Sequence, residues 1–233
     1  MTRPNSFQRV SQRDANRPLP RGSFSREGEG LEFDRVLFFS DAVFAIAMTL
    51  LVVGLTVPEL TREQDLPRTM LKALQERQPE ILSFFVGFAL LSSYWLTHHR
   101  FFSALRAVSR SLIRIHLVYL AFVAFLPFPT ALIGRYEDNP VSFVLFAISV
   151  SAISGFQVVL FIFATSQHLT KVPFPPHVRR YGIIGAALPV TVFLLSIPIA
   201  FWNPSVALFS WLLLFPLAAL LNRSAPVDAK EYF

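Results

Sequence analysis

The strongest constraint on this chain is a set of apolar runs, each long enough to cross a lipid bilayer. A spanning helix needs about 20 mostly apolar residues, because the hydrocarbon core is about 30 Å thick and a helix rises about 1.5 Å per residue. Lipid offers no hydrogen-bonding partner to backbone N–H and C=O groups, so such runs cross as helices. Only 15% of the residues are charged, against about 25% in a typical soluble domain. The sequence therefore predicts an all-α membrane protein.

Six segments meet the length requirement and are predicted to span. They are residues 36–58, 81–97, 115–133, 141–165, 181–202 and 205–221. Only Asn203 and Pro204 separate the last two, so a five-span alternative stays open. Pro189 and Pro198 are predicted kink sites in the fifth segment. Residues 66–78, between the first two spans, are predicted to form a short surface helix.

The polar ends and the charges suggest the domain organisation and the topology. Residues 1–34 are predicted to be a disordered, arginine-rich cytoplasmic tail, residues 35–222 a six-helix transmembrane domain, and residues 223–233 a second cytoplasmic tail. With both termini inside, five of the 21 Lys and Arg residues lie outside: Arg62, Arg68, Lys72, Arg77 and Arg135. Because basic residues gather in cytoplasmic loops, this count favours cytoplasmic termini.

Composition and motifs exclude several functions. The absence of cysteine excludes disulfides, thiol catalysis and cysteine metal sites. The net charge of +6 does not indicate a nucleic-acid partner, because no basic segment is paired with an aromatic stacking platform. No Gly-x-Ser-x-Gly, His-Glu-x-x-His or P-loop sequence is present. We therefore predict neither an enzyme nor a cofactor, and the scattered histidines do not predict zinc.

The first segment has an acid inside its apolar run and a stripe of apolar residues. The stripe recurs at helical spacing and comprises Phe39, Val43, Ile46, Leu50, Val53 and Val57. Asp41 lies about 140° round the helix from Ile46, off the stripe. A charged side chain at membrane depth costs about 2.5–3.5 kcal/mol on insertion scales, so it is usually paired and functional. The spacing alone leaves open whether the stripe faces lipid or a pore.

The end of the second segment offers partners for this acid. Trp95 and His98 are three residues apart and share a helix face. The two segments run antiparallel, so Asp41 and Ser40 are expected to meet the Trp95 N–H, His98 or Arg35 at the same depth.

Simpler interpretations of these side chains also stand. Trp95 fits an aromatic belt residue at the membrane interface, and His98 and His99 fit a solvated loop. His116, near the start of the third segment, is expected to be solvated or packed rather than part of a proton relay.

The two motifs resemble those of a known family. The first is Arg35-x-x-x-Phe39-Ser40-Asp41, continued by Ala42-Val43-Phe44-Ala45-Ile46-Ala47, Thr49-Leu50-Leu51-Val52-Val53 and Val57-Pro58-Glu59; the second is Trp95-x-x-His98-His99-Arg100-Phe101-Phe102. Together they resemble the transmembrane protein 175 family of potassium channels. The likeness covers roughly residues 31 to 222.

This resemblance implies a function and an assembly. Family members pass potassium in preference to sodium, and single-repeat prokaryotic members form homotetramers, so one repeat implies a homotetramer with potassium as the permeant ion. In the family the first helices line a central pore whose narrowest point is an isoleucine ring, a position matched by Ile46. The next rings match Leu50 and Val53, and Thr49 matches a threonine linked with selectivity. Leucine is usual at the Val53 position, and the shorter side chain is expected to widen that ring.

The resemblance also implies a packing network between the first two helices, made by Arg35, Phe39, Ser40, Asp41, Trp95 and His98. The sequence thus favours a multi-pass, lipid-embedded channel of the cell membrane in which apolar rings gate by dewetting. Two alternatives remain: a secondary transporter that uses the kinked fifth helix, and a non-conducting membrane scaffold.

Overall fold

The computed structural model describes residues 19–20, 22–26, 30–58 and 66–226, and within these it is almost entirely helical. The elements are β1 (Ser23–Ser25), α1 (Gly30–Val53), α2 (Leu66–Glu76), α3 (Gln78–Ser103), β2 (Ala107–Ser109), α4 (Arg110–Phe125), α5 (Pro127–Arg135), α6 (Pro140–Ser166), α7 (Pro176–Trp202), α8 (Pro204–Ser210), a 3₁₀ turn (Trp211–Leu213) and α9 (Leu214–Arg223). The surface helix predicted for residues 66–78 is present as α2.

Six helical stretches of the described chain are long and apolar enough to cross a membrane, which confirms the six-span prediction. They are Leu31–Val53, Gln78–Ser103, Arg110–Arg135, Pro140–Ser166, Pro176–Trp202 and Pro204–Arg223. The first helix begins and ends earlier than the predicted 36–58. Its last turn tightens where the Gly54 N–H reaches the Leu51 carbonyl at 3.3 Å, and Pro58 restricts the preceding residue to extended backbone.

The two residues that divide the last spans do so through capping. Asn203 has extended backbone angles, and its side-chain oxygen accepts the Val206 N–H at 3.1 Å. Pro204 follows at the first helical position, where its missing N–H costs nothing. A new helix therefore starts two residues after Trp202, and the five-span alternative is wrong.

Proline affects the third and fifth spans differently. In the third span α4 and α5 meet at Leu126, which keeps helical angles; Pro127 cannot donate to the preceding turn, so the helix is interrupted there. In the fifth span Pro189 and Pro198 both lie inside α7.

The third and fourth spans form the centre of the subunit. Half of the residues in their most apolar windows are buried, and α6 packs against α4, α5 and α7. The sixth span packs against the fifth, and its Trp211 ring lies 4.7 Å from those of Phe143 and Phe193 and 5.1 Å from that of Phe146. The first span, α1, packs against α3, α4 and α5 on one side, which leaves its other side exposed.

A short strand lies in the stretch for which the sequence predicts a disordered tail. Strand β1 pairs antiparallel with β2, with Phe24 opposite Val108. The Arg26 N–H continues the ladder to the Arg106 carbonyl at 3.0 Å, and its guanidinium lies 5.0 Å from the Phe33 ring centre. Backbone hydrogen bonds and the half-buried Phe24 thus hold a segment whose composition alone indicates disorder. Residues 1–18, 21, 27–29, 59–65 and 227–233 lie outside the described part of the chain, and with them most of the predicted tails, Glu59 and Arg62.

Replacing Gly134 by Ala is expected to destabilise the fold, because α5 and α3 meet there without room for a methyl group. An added Cβ would overlap Ser83 Oγ and lie 2.9 Å from Ser83 Cβ and 3.1 Å from the backbone of Glu80. Overpacking of this kind costs about 1–3 kcal/mol. Gly155→Ala is the matched control, since nothing lies within 4 Å of its added Cβ. Thermal unfolding of purified protein should show a lower Tm for the first variant only; equal Tm values would contradict the close packing.

Candidate functional site

Helix α1 has one buried and one exposed face. The buried face comprises Phe33, Ser40, Phe44, Ala47 and Leu51. On the exposed face lie five residues of the predicted stripe, with exposed fractions of 45% to 83%: Phe39, Ile46, Leu50, Val53 and, beyond the end of α1, Val57. The sixth stripe residue, Val43, is half-buried against the core, and Phe38 and Val52 of α1 are exposed as well. The stripe is therefore a surface of the single chain, free to meet lipid, another copy of the chain or an ion path.

Thr49 is a polar side chain beside Ile46 and Val53 on this surface. It is exposed, and its hydroxyl donates a hydrogen bond to the Ile46 carbonyl at 2.8 Å. Because the hydrogen points into the helix backbone, the oxygen lone pairs remain available to a ligand. Large apolar side chains with one such oxygen can exclude water from a narrow space while offering a weak cation contact.

Asp41 is partnered by the second span. The Trp95 indole N–H donates to Asp41 Oδ1 at 2.9 Å, and both residues are half-buried. The His99 ring lies against Trp95, with ring centres 5.5 Å apart. The acid thus points away from the exposed stripe and ties α1 to α3.

Ser40, His98 and His116 form a second polar cluster, which is completely enclosed. The Ser40 hydroxyl donates to the Val36 carbonyl at 2.7 Å and lies 3.3 Å from His116 Nε2. His98 Nε2 lies 2.9 Å from the same His116 nitrogen, so one N–H and one lone pair must lie between the two rings. A single cluster therefore joins α1, α3 and α4.

Aromatic side chains seal this cluster from water. Phe102 lies 4.5 Å from His98 and 4.7 Å from His116 between ring centres. Phe44 lies 5.5 Å from His98, and Tyr119 lies 6.0 Å from both histidines. The solvated-loop interpretation of His98 is therefore wrong, since the residue is only 2% exposed.

The sequence did not place His116 in this network, although a signal was present. Leu112, His116, Tyr119, Leu120 and Val123 are the buried residues of α4, and their spacing of three and four is the core-facing pattern of a helix. That pattern places His116 on the face turned towards the other spans.

Arg35 does not join the network in the way the sequence led us to expect. Its guanidinium lies 3.1 Å from Glu32 Oε1 in an exposed pair. The reason is helical geometry: Arg35 is four residues from Phe39, about 40° away, but about 120° from Asp41. Phe39 is likewise exposed on the stripe, about 100° round the helix from the buried Ser40.

Residues 35–127, which include most of α1 and all of α3 and α4, match the family described as the endosomal/lysosomal potassium channel TMEM175. The fold is similar to the crystal structure of a lysosomal potassium-selective channel TMEM175 homolog from Chamaesiphon minutus, with a TM-score of 0.67 and 26% identity over 83% of this chain and 97% of that one. Over this region the sequence is similar to the TMEM175 family, and the similarity in fold extends over most of the chain.

Two named relatives each align with about half of this chain. A potassium channel of Streptomyces collinus is 38% identical over 110 residues, which are 46% of this chain and 52% of that protein. A potassium channel of Chamaesiphon minutus is 36% identical over 112 residues, which are 48% of this chain and 54% of that protein. The chain thus aligns with about half the length of these relatives, and the family is one of ion channels rather than enzymes.

Proposed function

We propose that four copies of this chain form a channel that conducts potassium in preference to sodium, passively, through a central pore lined by α1. The observation that carries the proposal is the exposed apolar face of α1, formed by Ile46, Leu50 and Val53. It lies within the family match, and the opposite face of the same helix is fully used in packing. Relatives named as potassium channels support the choice of ion.

Fourfold symmetry would bring one Ile46 from each subunit to the axis. A ring of four such side chains forms an apolar neck that gates by dewetting, with Leu50 and Val53 one and two turns further along. Potassium holds its hydration shell less tightly than sodium, so partial dehydration in the neck favours potassium. The Thr49 oxygen, with its hydrogen directed at Ile46, would offer a compensating contact.

The clusters on the buried side of α1 serve the pore by positioning it. Asp41 bonded to Trp95, and Ser40 beside His98 and His116, connect α1 to α3 and α4. We place the assembly in the cell membrane with both termini cytoplasmic, because the basic residues then lie mainly inside. Other exposed apolar side chains of the spans would face lipid.

Reconstitution of the purified protein tests the proposal directly. With potassium on one side of a planar bilayer and sodium on the other, the reversal potential is expected to lie well towards the potassium equilibrium value. Liposome flux should be fast and passive. Saturable flux that requires a proton gradient would indicate a secondary transporter, and no current at any voltage would indicate a scaffold; either result would overturn the channel.

A further inference from the structure

The chain just beyond α1 is tied to the start of α3 by one arginine. Arg77 is the only residue between α2 and α3, and its guanidinium donates to the Thr56 carbonyl at 2.7 Å and also contacts the Thr56 hydroxyl. Glu80, one turn into α3, lies 3.6 Å from the same guanidinium. Arg77 thereby joins two points that are 21 residues apart in the sequence.

The neighbourhood of this tie is close-packed, so the tie can act on the end of α1. A Cβ added at Gly54 would lie 3.0 Å from the Ala131 side chain, and one added at Gly87 would lie 2.6 Å from Thr130 and 3.2 Å from Leu51. The Leu55 N–H bonds to the Val52 carbonyl at 3.0 Å and closes the last turn. Thr56, in contrast, follows the helix without regular structure, and the Arg77 bond supplies a partner for its carbonyl.

We propose that Arg77 is a positioning residue that holds the segment from Val53 to Val57 and so sets the width of the outer part of the pore. This inference rests on the proposed function, because it places Val53 at the pore. Both valines are highly exposed, so their own side chains do not hold them in the subunit. Val53 is the last residue of α1, and the hydrogen bond to Thr56 adds a contact with α3 that limits the movement of the chain between the two valines.

The geometry of the Arg77 guanidinium supports a role in hydrogen bonding to Thr56 rather than a purely electrostatic role. A guanidinium presents its N–H groups in a rigid fork and can contact a carbonyl and a hydroxyl together. The Arg77 side chain is 29% exposed and that of Glu80 is 18% exposed, and the carboxylate offsets part of the positive charge. An electrostatic effect on passing cations is therefore weaker than that of an unpaired arginine.

Hydrogen exchange of the intact protein tests the tie without requiring conduction. In Arg77→Met, the amides of Gly54 and Leu55 are expected to exchange about tenfold faster, which corresponds to a free energy of local opening lower by about 1.4 kcal/mol. The reason is that opening of this segment no longer has to break the hydrogen bond between Arg77 and Thr56. Lys72→Met is the matched control: it removes a cation from α2 whose nearest described carboxylate, Glu76, is 4.0 Å away. Unchanged exchange in Arg77→Met, or an equal increase in Lys72→Met, would overturn the proposal.

A second variant and a second measurement complete the test. Thr56→Val removes the hydroxyl contact but no charge, and is expected to accelerate the same amides to a smaller extent. If Arg77→Met does not fold, unchanged exchange in Thr56→Val overturns the tie. In bilayers, Arg77→Met should shift the potassium/sodium reversal potential towards zero while Lys72→Met leaves it unchanged. Equal shifts of the reversal potential in Arg77→Met and Lys72→Met would indicate that the loss of a positive charge, and not the loss of the tie, changes selectivity, and would overturn the proposed role in the pore. If the proteins do not conduct at all, the proposed function fails while the exchange result still decides the tie.

Discussion

Ile46→Asn is expected to abolish the preference for potassium and to raise the current. Four amides in place of four sec-butyl side chains would keep the neck hydrated, so ions would pass without losing water and the dewetting barrier would disappear. The residue is 58% exposed in the single chain, so the polar side chain is tolerated by the subunit itself. Potassium and sodium reversal potentials in planar bilayers measure the effect.

Two control variants distinguish a specific effect of Ile46 on the pore from a general effect of side-chain polarity or size. Ile46→Leu keeps the apolar volume and should keep the potassium preference. Val52→Asn introduces the same amide at another exposed position of α1, about 120° round the helix from Ile46, and should leave the reversal potential unchanged. Wild-type selectivity in Ile46→Asn would show that the exposed stripe does not line the pore.

Trp95→Phe is expected to lower tetramer yield and thermal stability without changing selectivity. The phenyl ring keeps most of the apolar contact, but the N–H that Asp41 accepts at 2.9 Å is lost. Hydrogen bonds to charged groups contribute about 1.5–3 kcal/mol, and the carboxylate would be left without that partner at membrane depth. The tetramer fraction in size-exclusion chromatography and the Tm report the loss.

Substitutions of the acid give a matched pair for the same contact. Asp41→Asn retains an oxygen that can accept from the Trp95 indole, so its yield should fall less than that of Asp41→Ala. Both should keep the wild-type reversal potential, because Asp41 lies off the exposed stripe. A changed permeability ratio in well-assembled Trp95→Phe would contradict the separation of the pore face from the packing face.

Much of this architecture could be predicted from local sequence. Six apolar runs predict six spans because lipid leaves the backbone no alternative to helices, and the described structure has six such stretches. The spacing of Ile46, Leu50 and Val53 predicts one helix face, and Asp41 is correctly placed off it. These are properties of a single helix, which is set by its own residues.

Contacts between different helices and strands could not be predicted from local sequence. His116 joins Ser40 and His98 only because α4 packs against α1 at that depth, and Arg77 finds Thr56 only because α3 begins beside the end of α1. Strand β1 forms because β2 offers backbone partners to a segment whose composition indicates disorder. Each case depends on which elements become neighbours.

The first span shows which features are set by its own sequence and which depend on tertiary packing. Its sequence determined that it would be a membrane helix with an apolar stripe and an acid on another face, because helical periodicity assigns each residue a direction round the axis. Only the tertiary structure decided that the face with Ser40 and Asp41 is buried in the subunit and the Ile46 face is left exposed. The physical reason is that burial depends on the shape and hydrogen-bonding groups of α3, α4 and α5, which no spacing within α1 contains.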